Sequence, residues 1–400
     1  MAEGDYVIRV HSSPLDVDAN AWDALLHAQP GATPFMRHAY LAALHASGCA
    51  TAATGWRPQF FTLELNKQLV AACAVYLKTH SYGEYVFDWA WANAYAQHGL
   101  DYYPKAVIAV PFTPVPGTRL LARTAQARDK LLTTLLQWCQ ERDLSSLHLL
   151  FESDADRQVC VQSGMLERHT VQFHWRNTTP GYGDFDAFLA SLSQDKRKKI
   201  RQERRKVADA GVTFRAIQGP DITPHEWDFF YRCYERTYLE HGNAPYLNRD
   251  FFQRIADTMA QHWVLFIAER AGQSIASSLI AVDAHQTRAN GRNDTISEHV
   301  AYGRYWGALE RVDCLHFEAC YYQPLQWCIE HRVHRFEGGA QGEHKMARAL
   351  LPVRTSSAHW LAHPDFAEAV ERFLAREGQG VGEYLDHLQA RSPLRKDSGP

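Results

Sequence analysis

The run Leu136-Gln137-Trp138-Cys139, followed by Glu141, returns as Leu325-Gln326-Trp327-Cys328, followed by Glu330. Trp and Cys are rare residues, so a repeat of this composition points to an internal duplication. After each copy comes a short loop and a β-like run ending in Phe-Glu: Phe151-Glu152 in one half, Phe336-Glu337 in the other. Upstream, Phe60 to Glu64, Asn66-Lys67-Gln68 and Leu69 to Leu77 read as strand, tight turn, strand. Val264 to Glu269, Ala271-Gly272-Gln273 and Ser274 to Val282 read the same way, and a third β-like run follows in each half, Glu84 to Trp89 and Glu298 to Tyr302. Each half therefore spells helix, hairpin, strand, helix, strand.

With 400 residues the chain exceeds one typical core and suits two domains. The periodicity predicts a helix over Ala122 to Arg142, with Leu131, Leu135 and Trp138 on one stripe. A second is expected from about Asp313 to His331, kinked or split by Pro324. The Thr-Thr-Pro-Gly-Tyr-Gly stretch within Asn177 to Asp184 marks the boundary, giving domains at 1–178 and 179–390. Asp186 to Ala210 reads as one long helix, His285 to Asp294 as a flexible hairpin loop, and residues 391–400 as a loose tail.

Net charge is −3, so a polyanion site must come from a local patch. Eight scattered Cys without a CxxC pair suggest reduced thiols and a cytoplasmic home. Met1 to Ser13 has no apolar run of the kind a secretory signal needs. No stretch approaches the roughly 18 apolar residues of a membrane span. His331/His334 and His359/His363 have metal-compatible spacing but no Cys pair or acidic partner, so no metal site is expected. The absence of a GxSxG elbow, a Walker loop and a Rossmann fingerprint argues against a hydrolase, an NTPase and a dehydrogenase.

Two segments carry a family resemblance. Leu192-Ser193-Gln194-Asp195-Lys196-Arg197-Lys198-Lys199-Ile200-Arg201, running to Gly211-Val212, resembles the basic helix of the FemABX-like proteins. Gly342-Glu343-His344-Lys345-Met346-Ala347-Arg348 resembles their Gly-x-Phe-Lys segment, with His344 in place of Phe. Ser81 to Trp89 and Gly339 to Lys345 also fit a bacterial branch known as FemAB-like predicted N-acyltransferases. The resemblance implies an α/β (α+β) fold of tandem duplicated domains akin to the GNAT N-acetyltransferases. Each would hold a mixed, mostly antiparallel sheet flanked by helices, with the active cleft in the C-terminal lobe.

Amide formation needs a neutral amine, an outlet for its proton and a stabilised oxyanion. Glu337 to Lys345 is dense in suitable groups, and Gly338, Gly339 and Gly342 let the backbone turn sharply beside a ligand. The catalytic candidates are Lys345, Glu343, His344, Glu318 and Glu337, with His316 beside Glu318. By resemblance Lys345 matches the lysine that contacts reacting carbonyl or phosphate groups. An ordinary strand-to-helix loop would show the same charges. Donor-binding candidates are Arg304 and Gln341, together with Lys196, Arg197, Lys199 and Arg201 of a run carrying eight basic residues and one acid, Glu203. A merely solvated helix also fits that run. Acceptor-binding candidates are Tyr82, Glu84, Asp88, Trp89 and Tyr322, the two carboxylates holding a cationic amine; aromatic core packing fits them equally.

The reading is an N-acyltransferase moving an acyl or aminoacyl group from acyl-CoA or aminoacyl-tRNA, as co-substrate, to a small-molecule or peptide amine. No tightly bound cofactor is expected, tRNA is a candidate partner, and either lobe's cleft remains open. The alternative is a non-catalytic protein of the same fold that recognises a peptide or a cell-wall precursor.

Overall fold

The structure is a computed structural model describing residues 6–288, 295–340 and 342–395. The chain forms two compact units: one from the chain up to Thr170 plus Arg354–Glu383, the other from Val171–Val353 plus the chain from Tyr384 onward. The single crossing expected near residue 178 is thus replaced by interleaving. The cause is pairing: β13 (Leu351–Leu361) lies antiparallel to β6 (Ser146–Leu149) through Ala358 to Leu361. Val370 and Leu374 of the following helix then pack with Trp91, Tyr95 and Tyr102.

In the first unit, β1 (Tyr6–His11), β2 (Trp56–Leu65), β3 (Gln68–Lys78) and β4 (Lys105–Ile108) follow one another across the sheet, then β6 and β13. The short β5 (Leu121–Ala122) pairs with β3. Asn66 and Lys67 both hold positive φ, 52° and 65°, the geometry of a tight hairpin turn whose twist matches its strands. The helix expected over 122–142 spans Ala125–Glu141, started by Thr124, whose hydroxyl accepts from the Ala127 amide at 3.1 Å. It returns the chain so that β6 lies parallel to β4.

The second unit repeats this order. β8 (Val212–Gln218), the hairpin β9 (Trp263–Arg270) and β10 (Gln273–Arg288), then β11 (Thr295–Ala308), β12 (Arg335–Ala340) and β7 (Leu166–Arg176) succeed one another. The β9–β10 turn again uses two positive-φ residues, Ala271 at 50° and Gly272 at 75°. The duplicated Leu-Gln-Trp-Cys runs occupy equivalent helices. Trp138 and Trp327 are buried, Cys139 and Cys328 fully so, and Gln137 donates to Glu141 at 2.7 Å as Gln326 does to Glu330 at 2.9 Å.

Several local expectations fail. Glu84 to Trp89 is no strand: 84–88 is irregular and Trp89 opens a helix, Trp89–Gln97. The segment does alternate, with Glu84, Val86 and Asp88 buried and Tyr85, Phe87 and Trp89 exposed. The long helix at 186–210 is two, Phe185–Ala190 and Gln194–Asp209, separated by Ser191 to Ser193. The break is held by the tail, which is therefore not loose at its start: the Ser193 amide donates to the Pro393 carbonyl at 2.9 Å and the Arg395 amide to that of Ser191 at 3.0 Å. The polar stretch from His285 is strand through Arg288, and residues 289–294 lie outside the described set. Pro324 does split its helix: Leu315–Phe317 leads into a π-turn, Glu318–Tyr322, before Gln323–Glu330. No helix among the described residues is long and apolar enough to cross a membrane.

Candidate active site

In the second unit β11 and β12 run parallel only from Val300 to Tyr302 against Arg335 to Glu337. Beyond that point they part. β12 turns at Gly338 and Gly339, the latter at φ 75°, so that Ala340 pairs with Gln172 of β7. β11 carries a bulge: Leu279 faces Tyr305 while Ile280 faces Gly303, leaving Arg304 as the extra residue. The divergence opens a cleft of about 160 Å³, walled by Gly303 to Trp306, by Phe336 and Gly338, and by His316, Cys320, Tyr321 and Lys345. The glycines let neighbouring side chains approach this rim closely. A Cβ at Gly303 would sit 3.0 Å from the Phe336 ring, and one at Gly338 only 2.3 Å from Leu350 Cδ2. The π-turn brings Cys320 and Tyr321 to the wall, a geometry frequent at functional sites.

Lys345 is 6% exposed, and its Nζ donates to the carbonyls of Ala340 at 2.7 Å and Gly339 at 3.3 Å. Burial lowers the ammonium to about 8. His316, beside it on the wall, is lowered to about 4 by burial, with His344 and Arg348 adding to the effect, so it is a neutral imidazole at physiological pH. Burial pushes the Cys320 thiol far up, which keeps it protonated and a poor nucleophile.

The other catalytic candidates are not gathered around Lys345. His344 lies next to the cleft rather than in its wall, sharing a hydrogen bond with the Tyr321 hydroxyl at 3.1 Å. Glu343 is exposed, takes the Tyr384 hydroxyl at 3.2 Å and lies 3.5 Å from Arg391. Glu318 is buried and paired with Arg204 at 3.1 Å while accepting from Gln323 at 2.8 Å. Glu337 is buried against Arg335 at 3.0 Å; burial raises it to about 7 although Arg335 pulls the other way. Tyr322, expected to contact an acceptor, instead donates to Glu203 inside the fold.

Among the described donor candidates only Arg304 reaches the cleft wall. Arg197 and Arg201 line a broad depression on the Gln194–Asp209 helix with Lys198 and Arg205. Lys196 faces a small hollow with His344 and Arg391, and Lys199 is exposed. Ile200, Glu203 and Val207 turn inward, so most of the basic charge occupies the solvent side of that helix. Gln341 lies outside the described residues.

The acceptor candidates of the first unit are corrected. Glu84 and Asp88 do hold a cationic amine, but it is the chain's own: Lys105 donates to Glu84 at 2.8 Å and to Asp88, with all three side chains shielded from water. Burial would lower the Lys105 ammonium, yet the two carboxylates outweigh it and hold it above the usual lysine value. Tyr82 and Trp89 remain outside, 59% and 37% exposed, edge to face at 5.0 Å. His359, considered for a metal, shares a hydrogen bond with His148 at 2.7 Å behind this network. Beyond the β4–β6 parallel pair, where the second unit opens its cleft, the first is packed with Val86, Val107, Ala109, Leu150 and Phe151. Cys320 and Arg348 were not singled out as site residues by sequence; the sign available for Arg348 was its place at the end of the Gly342 to Arg348 segment.

Residues 13–396 match the FemAB-like family, described as peptidoglycan biosynthesis/recognition. The chain belongs to this family. As a FemAB-like protein it shares its fold with the crystal structure of FemX, at a TM-score of 0.53 and 10% identity over 89% of this chain and 98% of that one. It is similarly related to the C-terminal domain of a putative lysylphosphatidylglycerol synthetase from Agrobacterium fabrum, at 0.53 and 9% identity over 90% and 96%. A third structure, L-PGS from Bacillus licheniformis, aligns at 0.50 and 11% over 89% and 97%. At these identities the likeness is one of fold. No curated protein sequence matches the chain.

Proposed function

We propose that this FemAB-like protein is an N-acyltransferase, working in the second unit's cleft on an activated acyl or aminoacyl ester or thioester and an amine. The observation that carries the reading is Lys345: a buried ammonium on the wall of a cleft opened by two diverging parallel strands. The neutral amine attacks the acyl carbonyl, a C–N bond forms and the carbonyl oxygen becomes an oxyanion. Lys345, held by two backbone carbonyls, sits where its charge can stabilise that oxyanion with little reorganisation. Collapse breaks the C–O or C–S bond, and the amine's proton passes to the departing oxygen or sulfur, with neutral His316 as the available relay. The protonated Cys320 favours direct attack over a covalent enzyme intermediate.

The donor we favour carries phosphates, because Arg197, Lys198, Arg201 and Arg205 share the solvent face of one helix. Acyl-CoA and aminoacyl-tRNA both qualify. The deciding experiment offers each donor class with a mixture of small amines and peptides and follows amide formation by mass spectrometry. Lys345-dependent amide formation from one class supports the assignment. Binding of a peptide or cell-wall precursor without turnover, unchanged by Lys345→Ala, would overturn it in favour of a recognition protein.

A further inference from the structure

Arg348 is 1% exposed and does not line the cleft. Its guanidinium donates from Nη1 to the His344 carbonyl at 2.7 Å, from Nε to the Tyr322 hydroxyl at 3.0 Å and from Nη2 to Glu203 at 2.6 Å. Its centre lies 3.8 Å from the Phe317 ring centroid. Tyr322 donates to the same Glu203 oxygen, closing the network.

Three of these partners are sequence neighbours of the cleft wall. His344 precedes Lys345, Tyr322 follows Tyr321 and Phe317 follows His316. We propose that Arg348 is a positioning residue: one buried guanidinium, neutralised by Glu203, fixes the separate segments that present Lys345, Tyr321 and His316 to the cleft. This rests on reading the cleft as an acyl-transfer site, but the contacts do not. A guanidinium suits the task because its planar fork sends hydrogen bonds in several directions at once, whereas a lysine ammonium is a point charge. Glu203 completes the arrangement, since a buried cation without a partner is not tolerated. It also explains the one acid within the basic run Lys196 to Lys206, where it turns inward with Ile200 and Val207.

The test follows Lys345 itself. Acetic anhydride labels only the neutral amine, and peptide mass spectrometry reads the labelling rate of Lys345 against pH, with the exposed Lys67 as internal reference. In the native chain the midpoint should lie near 8. The double variant Glu203→Gln/Arg348→Gln removes both charges together and leaves no unpaired ion. Freed from its clamp, Lys345 gains water, and the midpoint should rise by a unit or more, so the neutral fraction at pH 7 falls about tenfold. Tyr322→Phe should move it in the same direction by about threefold, and it decides alone if the double variant does not fold. Folded variants whose midpoint stays at the native value overturn the proposal. A native chain that forms no amide with any donor would end the acyl-transfer reading, while the labelling result stands or falls independently.

Discussion

Lys345 directs its Nζ at the backbone carbonyl of Ala340, 2.7 Å away, from a position 6% exposed to solvent. Among the described residues no carboxylate is a hydrogen-bond partner of it, and burial lowers it from 10.5 to about 8. A shift of this size corresponds to about 3 kcal/mol against the charged form. A fold that retains such a cost at a cleft wall is trading stability for a positioned charge. Lys345→Met keeps the packing of the stem and removes the buried charge. Its melting temperature should therefore hold or rise by a few degrees, while amide formation falls about 100-fold or more. Parallel loss of both in calorimetry and turnover would mark the lysine as structural.

The pH response follows from the same depression. If the cation does the work, transfer should decline as pH rises through about 8, where Lys345 loses its proton. Lys345→Arg keeps its charge and should move that decline well above pH 10, whatever its effect on the maximum. Stability runs the other way. The folded state binds fewer protons than the unfolded between about 8 and 10.5, so the penalty is complete below pH 8 and fades across that window. Rate and melting profiles measured from pH 6 to 11 separate the two.

Lys105→Met should be damaging without touching the cleft. It strands Glu84 and Asp88, both buried and both now held by the lysine. Removing one partner of such a cluster costs about 3–5 kcal/mol. The loss should shrink in acid, where the freed carboxylates take up protons. Urea titrations at pH 7 and pH 4 would detect it, and equal losses at both would count against an electrostatic origin.

Gly307→Ala tests how closely the second unit's sheet meets its covering helix, Pro224–Glu240. A Cβ at Gly307 would lie 1.8 Å from the Cys233 carbonyl oxygen and 2.9 Å from Thr237 Oγ1. Backbone must move, so we expect a loss of about 3 kcal/mol by denaturation. A near-neutral variant would show that the strand and helix separate easily.

Much of the scaffold was legible because it rests on short-range chemistry. The two hairpins could be read from strand runs around Asn66-Lys67 and Ala271-Gly272, and the duplicated Trp-Cys helices from their own residues. Glu84 to Trp89 misled because period-two alternation says only that successive side chains face opposite ways. Here two of the three inward residues are charged, and the segment forms no strand. The break at Ser191 to Ser193 was hidden for another reason: what holds it is the chain near Pro393, two hundred residues on.

The amino-acid sequence by itself determined the duplication, the hairpin and the Trp-Cys helix of each unit and the glycine-lined segment that ends at Lys345. All of these depend on residues within a few turns of one another. Tertiary structure alone decided that β13 from Arg354 onward belongs with the first unit, and that Lys105 occupies the acidic pair expected to hold a substrate amine. It also decided that Glu343 faces Arg391 while Arg348 clamps Glu203 and Tyr322. Those pairings join positions from about 20 to more than 200 residues apart. Burial is what makes the Lys105 and Arg348 clusters strong, and burial is a property of the packed chain, not of any segment of it.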